Sequence, residues 1–219
     1  MDFMNILKSF ENFIFEVVGW LYFYPRTMWL ALFRPGEMMA YADDELDDLP
    51  AAQYESTISP PLFLLITIVL ATWASDSISG PDDPATTPAL LLNWKNSLLL
   101  TASVYSVYPL VLAIALLRQQ KREIDRRALR PPFYSQCFVA APFALANALA
   151  ISMLVLENRN ATIGGATVFF AALIWYFVLQ TRWFSGQLGV STLRACWIAG
   201  AAIGAGFIIT GAILVAIFN

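Results

Sequence analysis

The side chains able to do chemistry in this chain are acids, bases and hydroxyls, because histidine is absent. Histidine is the commonest general base near neutral pH and the commonest metal ligand. The sequence has no GxSxG motif, no phosphate-binding loop and no nucleophile with a base beside it. The two cysteines, Cys137 and Cys196, lie in apolar runs and are predicted to be buried thiols. We therefore predict a protein that is not an enzyme and uses no cofactor or metal.

Two clusters of opposite charge stand out in the cation-poor chain, whose net charge is -3. Residues 118–130 carry six of the thirteen cations, and residues 37–55 carry acids and no cation. The basic connection comprises Arg118, Lys121, Arg122, Arg126, Arg127 and Arg130. The acidic segment is centred on Asp43, Asp44, Glu45, Asp47 and Asp48.

Each cluster has more than one interpretation. Acidic oxygens can bind a divalent cation, but the segment lacks the glycine and alternate spacing of a calcium loop, so a solvated linker is favoured. The basic connection can fix membrane orientation, or it can bind anionic lipid headgroups at about 1 kcal/mol per cation. A third hypothesis is that residues 37–55 fold back toward it, with the basic connection extending the second span as a helix.

Neutral polar residues are the other candidates. Tyr105 and Tyr108 precede Pro109, and Asn147 follows Pro142 by five positions. Such residues can line a path between broken helices. They can also hydrogen-bond a neighbouring helix, which is the favoured interpretation.

The composition of the chain predicts that membrane-spanning helices position these residues. The chain is 58% apolar and only 13% charged, which is typical of membrane proteins. About 20 apolar residues cross a bilayer, and five stretches qualify: 59–78, 97–117, 135–156, 161–180 and 196–218. A sixth crossing over 13–33 is disfavoured by Glu16, Pro25 and Arg26. We predict an all-α polytopic fold of about five transmembrane helices.

The spans at the C-terminal end are predicted to be antiparallel neighbours, because their connections are short. Residues 157–160 are predicted to form a tight turn and residues 181–192 a loop. Gly200 and Gly204 form a GxxxG pattern, which permits close approach of two helices in one chain or in two.

Residues 1–58 are predicted to form a cytoplasmic region preceding the transmembrane domain, residues 59–219. Helical periodicity over residues 3–21 indicates an amphipathic helix at the membrane interface. Residues 2–21 carry one lysine against three acids, so apolar burial must hold the helix. Pro25 and Pro35 are expected to break the following chain into short pieces.

The cations also predict orientation. Regions before the first span, between the second and third, and between the fourth and fifth carry all cations except Lys95 and Arg159. Positively charged loops remain cytoplasmic. We therefore predict a bacterial inner-membrane protein with its N-terminus inside and its C-terminus outside.

Two stretches resemble the Yip1-like membrane proteins: FYPRTMWLALFRPGEMM (23–39) and STISPPLFLLITIVLA (56–71). The layout is similar too, with an acidic N-terminal region, closely spaced spans and almost no C-terminal tail. The resemblance implies a five-span helical fold, and bacterial members are often labelled permease-like. The DLYGP-like signature of eukaryotic members is absent, so a trafficking role is not implied.

The expected function is that of a non-enzymatic membrane component acting by association, as a homo-oligomer or with a protein partner. One alternative is a channel or transporter with a path lined by neutral residues. Another is an accessory subunit of a membrane enzyme. The expected partners include the lipid bilayer and anionic lipid, but not nucleic acid.

Overall fold

In the computed structural model, residues 3–47, 53–80, 88 and 93–218 are described, and these ranges contain helices and no strand. The helices are α1 Phe3–Phe33, α2 Pro35–Asp44, α3 Pro60–Ser79, α4 Trp94–Gln119, α5 Arg126–Val155, α6 Arg159–Leu188 and α7 Thr192–Phe218. A short 3-10 turn, Glu45–Asp47, follows α2.

Within the described residues, five helices, α3 to α7, are long and apolar enough to cross a membrane. They are the five predicted spans, and the all-α polytopic fold is confirmed. Helices suit a bilayer because each satisfies its backbone polar groups within itself. Polar side chains begin three of them: Asn93, Asp125 and Asn158 each accept a backbone N–H from the first turn of the helix that follows.

Three predictions about helix boundaries are wrong. Residues 181–192 are not a loop, because α6 continues to Leu188 and stops at Gly189, whose φ of 60° only glycine adopts at little cost. The basic connection does not extend the second span, because α4 ends at Gln119 and Lys121 turns the chain with a φ of 56°. Pro25 does not break α1, which runs through it.

The continuity of α1 through Pro25 has a local reason. Proline removes one hydrogen bond and crowds the carbonyl four residues earlier, here that of Leu21. Both Pro25 and Leu21 lie on the exposed side of α1. The freed carbonyl is therefore not buried, and the other side of the helix packs without interruption. Pro35, in contrast, does separate two helices, because it occupies the first position of α2.

The bundle is organised around α5, which contacts α1, α2, α3, α4 and α6. All ten residues from 135 to 144 are buried. A helix buried on every side must lie at the centre of its bundle. Helix α7 packs on the outside, against α4 and α6.

The tight hairpin between α5 and α6 depends on Gly165. A Cβ atom at this position would lie 2.7 Å from the Ala150 carbonyl oxygen and 3.0 Å from the Met153 Cβ. The two glycines of the predicted GxxxG pattern have more space around them. A Cβ on Gly200 would meet Phe177 at an ordinary 3.5 Å, and one on Gly204 would meet nothing within 4 Å.

A pair of glutamines joins the same two helices toward the opposite end of the helix pair from Gly165. Gln136 donates to the Gln180 side-chain oxygen at 2.9 Å, and Gln180 donates back at 2.6 Å. Both residues are almost completely buried. Two amides that satisfy each other in this way fix the register of α5 against α6.

We predict that Gly165→Ala destabilises the protein by about 1–3 kcal/mol, because the new methyl group overlaps rigid backbone. The control is Gly204→Ala, which adds the same group in open space and is expected to be neutral or stabilising by up to about 1 kcal/mol. Unfolding midpoints in mild detergent measure both effects. Equal midpoints for the two variants would contradict the close approach.

We also predict that Gln180→Leu destabilises the bundle by about 1–3 kcal/mol, because it leaves the Gln136 amide buried without its partner. Changing both glutamines to leucine removes that unsatisfied group. The double variant is therefore expected to be more stable than either single variant. Unfolding titrations of the four proteins form a double-mutant cycle, and additive losses would show that the pair does not act as a unit.

Candidate functional site

The N-terminal helices dock against the end of the bundle where α5 begins. On α1, the side chains packed against the core run from Trp20 to Ala31. The Tyr24 hydroxyl donates to Thr67 on α3 at 3.2 Å, and Thr27 accepts the backbone N–H of Ile58 at 3.4 Å. Residues 20–47 and 53–58 therefore pack as one unit with the transmembrane domain.

Helix α2 is fixed to α5 by a buried serine. The Ser135 hydroxyl lies 2.9 Å from the Met39 carbonyl oxygen and 2.8 Å from the Asp43 carboxylate. It also lies 3.2 Å from the Pro131 carbonyl oxygen on its own helix. One hydroxyl proton serves one acceptor at a time, so the three oxygens share it. Asp43 of the acidic segment therefore contacts α5.

Tyr54 also contributes to the docking surface, which is the contact of α2 and Tyr54 with the first part of α5. It has a φ of 61°, which is rare for a bulky residue, and its backbone N–H donates to the Glu45 carboxylate. Its hydroxyl donates to the Ala42 carbonyl oxygen at 3.3 Å, and its ring centroid lies 6.4 Å from that of Tyr134 on α5. Burial raises the pKa of Tyr54 well above its usual value, with neighbouring Tyr134 and Glu45 adding to the effect.

The acidic segment is therefore divided between contact and solvent. Asp43 and Glu45 make the hydrogen bonds just described, and Asp44 is exposed. The side chain of Asp47 and the whole of Asp48 lie outside the described residues. The described part docks through apolar packing of Met38, Met39 and Ala42 and through these hydrogen bonds.

The basic connection reaches this docking surface at Arg130 and is exposed. All six of its cations are exposed, and the Arg130 guanidinium lies 5.1 Å above the ring of Tyr134. Arg34 and Arg182 line one cavity of about 390 Å³ near α2. The same end of the bundle thus gathers cations from three separate parts of the chain.

Sequence reasoning missed Ser135, Gln136 and Gln180 as organising residues. A signal was available, because a serine or glutamine inside an apolar span needs a hydrogen-bond partner. The sequence does not say which helix supplies that partner. Tyr54 gave no signal, because its role depends on a left-handed backbone conformation that aromatic residues seldom adopt.

The candidate path residues do not share one environment. Tyr105 lines an open cavity of about 280 Å³ at the end of the bundle opposite the basic connection. Tyr108 lies deeper, with its ring 5.6 Å from Phe143 and 5.5 Å from Phe207. Asn147 is buried, and its side-chain oxygen has no hydrogen-bond partner among the described residues.

Beyond the docking surface, α1 carries an uncovered apolar stripe on the face away from the bundle. At 100° per residue its members fall within one arc of about 140°, and they extend over about 35 Å of helix. The exposed side chains in this stripe are Phe10, Ile14, Val18, Leu21, Tyr22, Trp29, Leu32 and Phe33.

We predict that Ser135→Ala loosens α2, because the Asp43 carboxylate and Met39 carbonyl lose their shared donor. A hydrogen bond that involves a charged group contributes about 1.5–3 kcal/mol. Amide hydrogens of α2 are therefore expected to exchange with deuterium about tenfold faster. The control is Ser103→Ala, which removes an exposed hydroxyl bonded only to its own helix. Unchanged exchange in α2 would mean that packing alone holds it.

Comparisons of this chain with protein-family models, with curated proteins and with solved structures gave no match. The resemblance to Yip1-like proteins therefore remains a prediction from the sequence.

Proposed function

We propose that this protein is a non-enzymatic integral membrane component that acts by association, either with further copies of itself or with a partner complex. The observation that carries the proposal is the apolar stripe of α1. The bundle leaves it uncovered, while side chains from Trp20 to Ala31 on the other side of the same helix pack against the core.

The composition of α1 supports association through apolar contact. Of the described exposed side chains in its first half, only Lys8 is a cation. Attraction to anionic headgroups is therefore weak here, and burial of apolar area must drive binding. A stripe of this length and width suits either the membrane interface or the groove of another membrane protein.

The packing at the centre of the bundle favours association over a channel or transporter. Tyr176 stacks on Phe143 with ring centroids 4.5 Å apart, and Tyr108 and Phe207 pack beside them. These rings fill the middle of the described structure. A channel or transporter, the second candidate, would have to move them to open a path. It is favoured only by the Tyr105 cavity.

The proposal also includes an orientation in the membrane, a lipid contact and a kind of partner. The exposed cations at one end of the bundle support placing that end and the N-terminus in the cytoplasm of a bacterium, with anionic lipid as a contact for the basic connection. An accessory subunit of a membrane enzyme is one form that the partner complex can take. The Yip1-like resemblance supports the membrane placement and specifies no substrate.

The test is purification in a gentle detergent, followed by mass determination of the intact complex. We expect a stoichiometric assembly from the native protein, and its loss in Val18→Glu, which puts a charge in the apolar stripe. Lys8→Gln is the control, because it makes the same change in net charge outside the stripe. A monomer with conductance in planar bilayers would favour the channel instead.

A further inference from the structure

An open cavity lies among α3, α4, α5 and α7, at the end of the bundle away from the basic connection. It has a volume of about 280 Å³. Its polar wall is built by Thr72, Ser75, Asp76, Ser79, Ser97 and Thr101, with Tyr105 beyond them. Residues from one end of α3 thus face residues from the first half of α4 across a space large enough for a small molecule.

Most hydroxyl protons around this cavity are already engaged. Thr72 donates to the Ile68 carbonyl, Ser79 to that of Ser75, and Thr101 to that of Ser97. Ser152 donates to the Ala148 carbonyl at 2.8 Å, so Ser75, which is hydrogen-bonded to Ser152, is the donor in that pair. A hydroxyl has one proton and two lone pairs. These oxygens therefore present lone pairs, and the wall is rich in acceptors.

The charge of the cavity wall also favours a cationic ligand. The Asp76 carboxylate is exposed on α3 as part of the wall. Lys95 begins α4 but is not among the residues lining the cavity. An acceptor-rich wall with a carboxylate attracts a positively charged donor.

The remaining wall is apolar, formed by Leu100, Val104, Ile151 and Leu214. A ligand that fits both walls carries a cationic head with several N–H donors and a short hydrocarbon body. A primary ammonium group has three such donors, whereas a quaternary ammonium has none. We infer that this cavity is a binding site for a primary ammonium group attached to a small apolar body. The site is independent of the association proposed above.

The first test is calorimetric titration of the full-length protein in detergent with n-butylammonium chloride. We expect saturable binding, weaker binding of tetramethylammonium, and none of neutral butanol. In Asp76→Asn the affinity is expected to fall at least tenfold, and in Thr101→Val severalfold. The control is Thr167→Val, which removes the same kind of hydroxyl, bonded to its own helix, from an exposed position on α6 outside the cavity.

Unfolding midpoints without ligand establish that each variant is folded. If Asp76→Asn is unstable, Thr101→Val decides on its own. Butylammonium binding that is absent, equal to that of butanol, or unchanged in both cavity variants would overturn the inference.

A second measurement identifies the source of the ammonium group. Native mass spectrometry of protein extracted with its lipids shows whether phosphatidylethanolamine is retained in preference to phosphatidylglycerol. Retention that is lost in Asp76→Asn would assign the cavity to a lipid headgroup. Butylammonium binding without lipid retention would assign it to a free amine. Absence of both would reject the site.

Discussion

The burial of α5 on every side is the constraint on which the rest of this structure depends. Because residues 135–144 have no face open to lipid or water, other helices must surround them. Helices α3, α4 and α6 do so within the bundle, and α2 completes the enclosure where α5 begins. The N-terminal region is therefore part of the fold, since without it Ser135 and Phe138 would lose their cover.

Central position also explains the polar residues of α5. A buried glutamine or serine is costly unless it finds a partner, and its partner is then fixed in position. Gln136 fixes α6 through Gln180, and Ser135 fixes α2 through Met39 and Asp43. Large apolar side chains fill the space between helices, whereas these few polar contacts select one register among several that packing would accept. Gly165, which has no side chain, lets the backbones of α5 and α6 approach closely.

The two ends of the bundle differ in chemistry. One end gathers exposed cations around a docked acidic segment, with an uncovered apolar helix beside it. The other end holds a cavity whose hydroxyl groups face inward as acceptors beside Asp76. The association proposed for the first end and the ligand binding proposed for the second would use different residues. The packed aromatic rings of Tyr108 and Phe143 lie between the two ends.

The sequence by itself determined the fold class, the number of spans and their approximate places, because runs of apolar residues about 20 long have few alternatives in a bilayer. It also indicated the amphipathic character of α1, since the 3.6-residue period is local. It did not predict that α1 continues through Pro25, that α6 continues to Leu188, or that the basic connection turns at Lys121. The path of α1 through Pro25 depends on which face of the helix is exposed. The end of α6 and the turn after α4 depend on the backbone angles of Gly189 and Lys121. Only the tertiary structure decided that Gln136 meets Gln180, that Asp43 meets Ser135, and that hydroxyls from α3 and α4 share one cavity. Each of these pairings joins residues far apart in the chain, and no local pattern specifies which helices become neighbours.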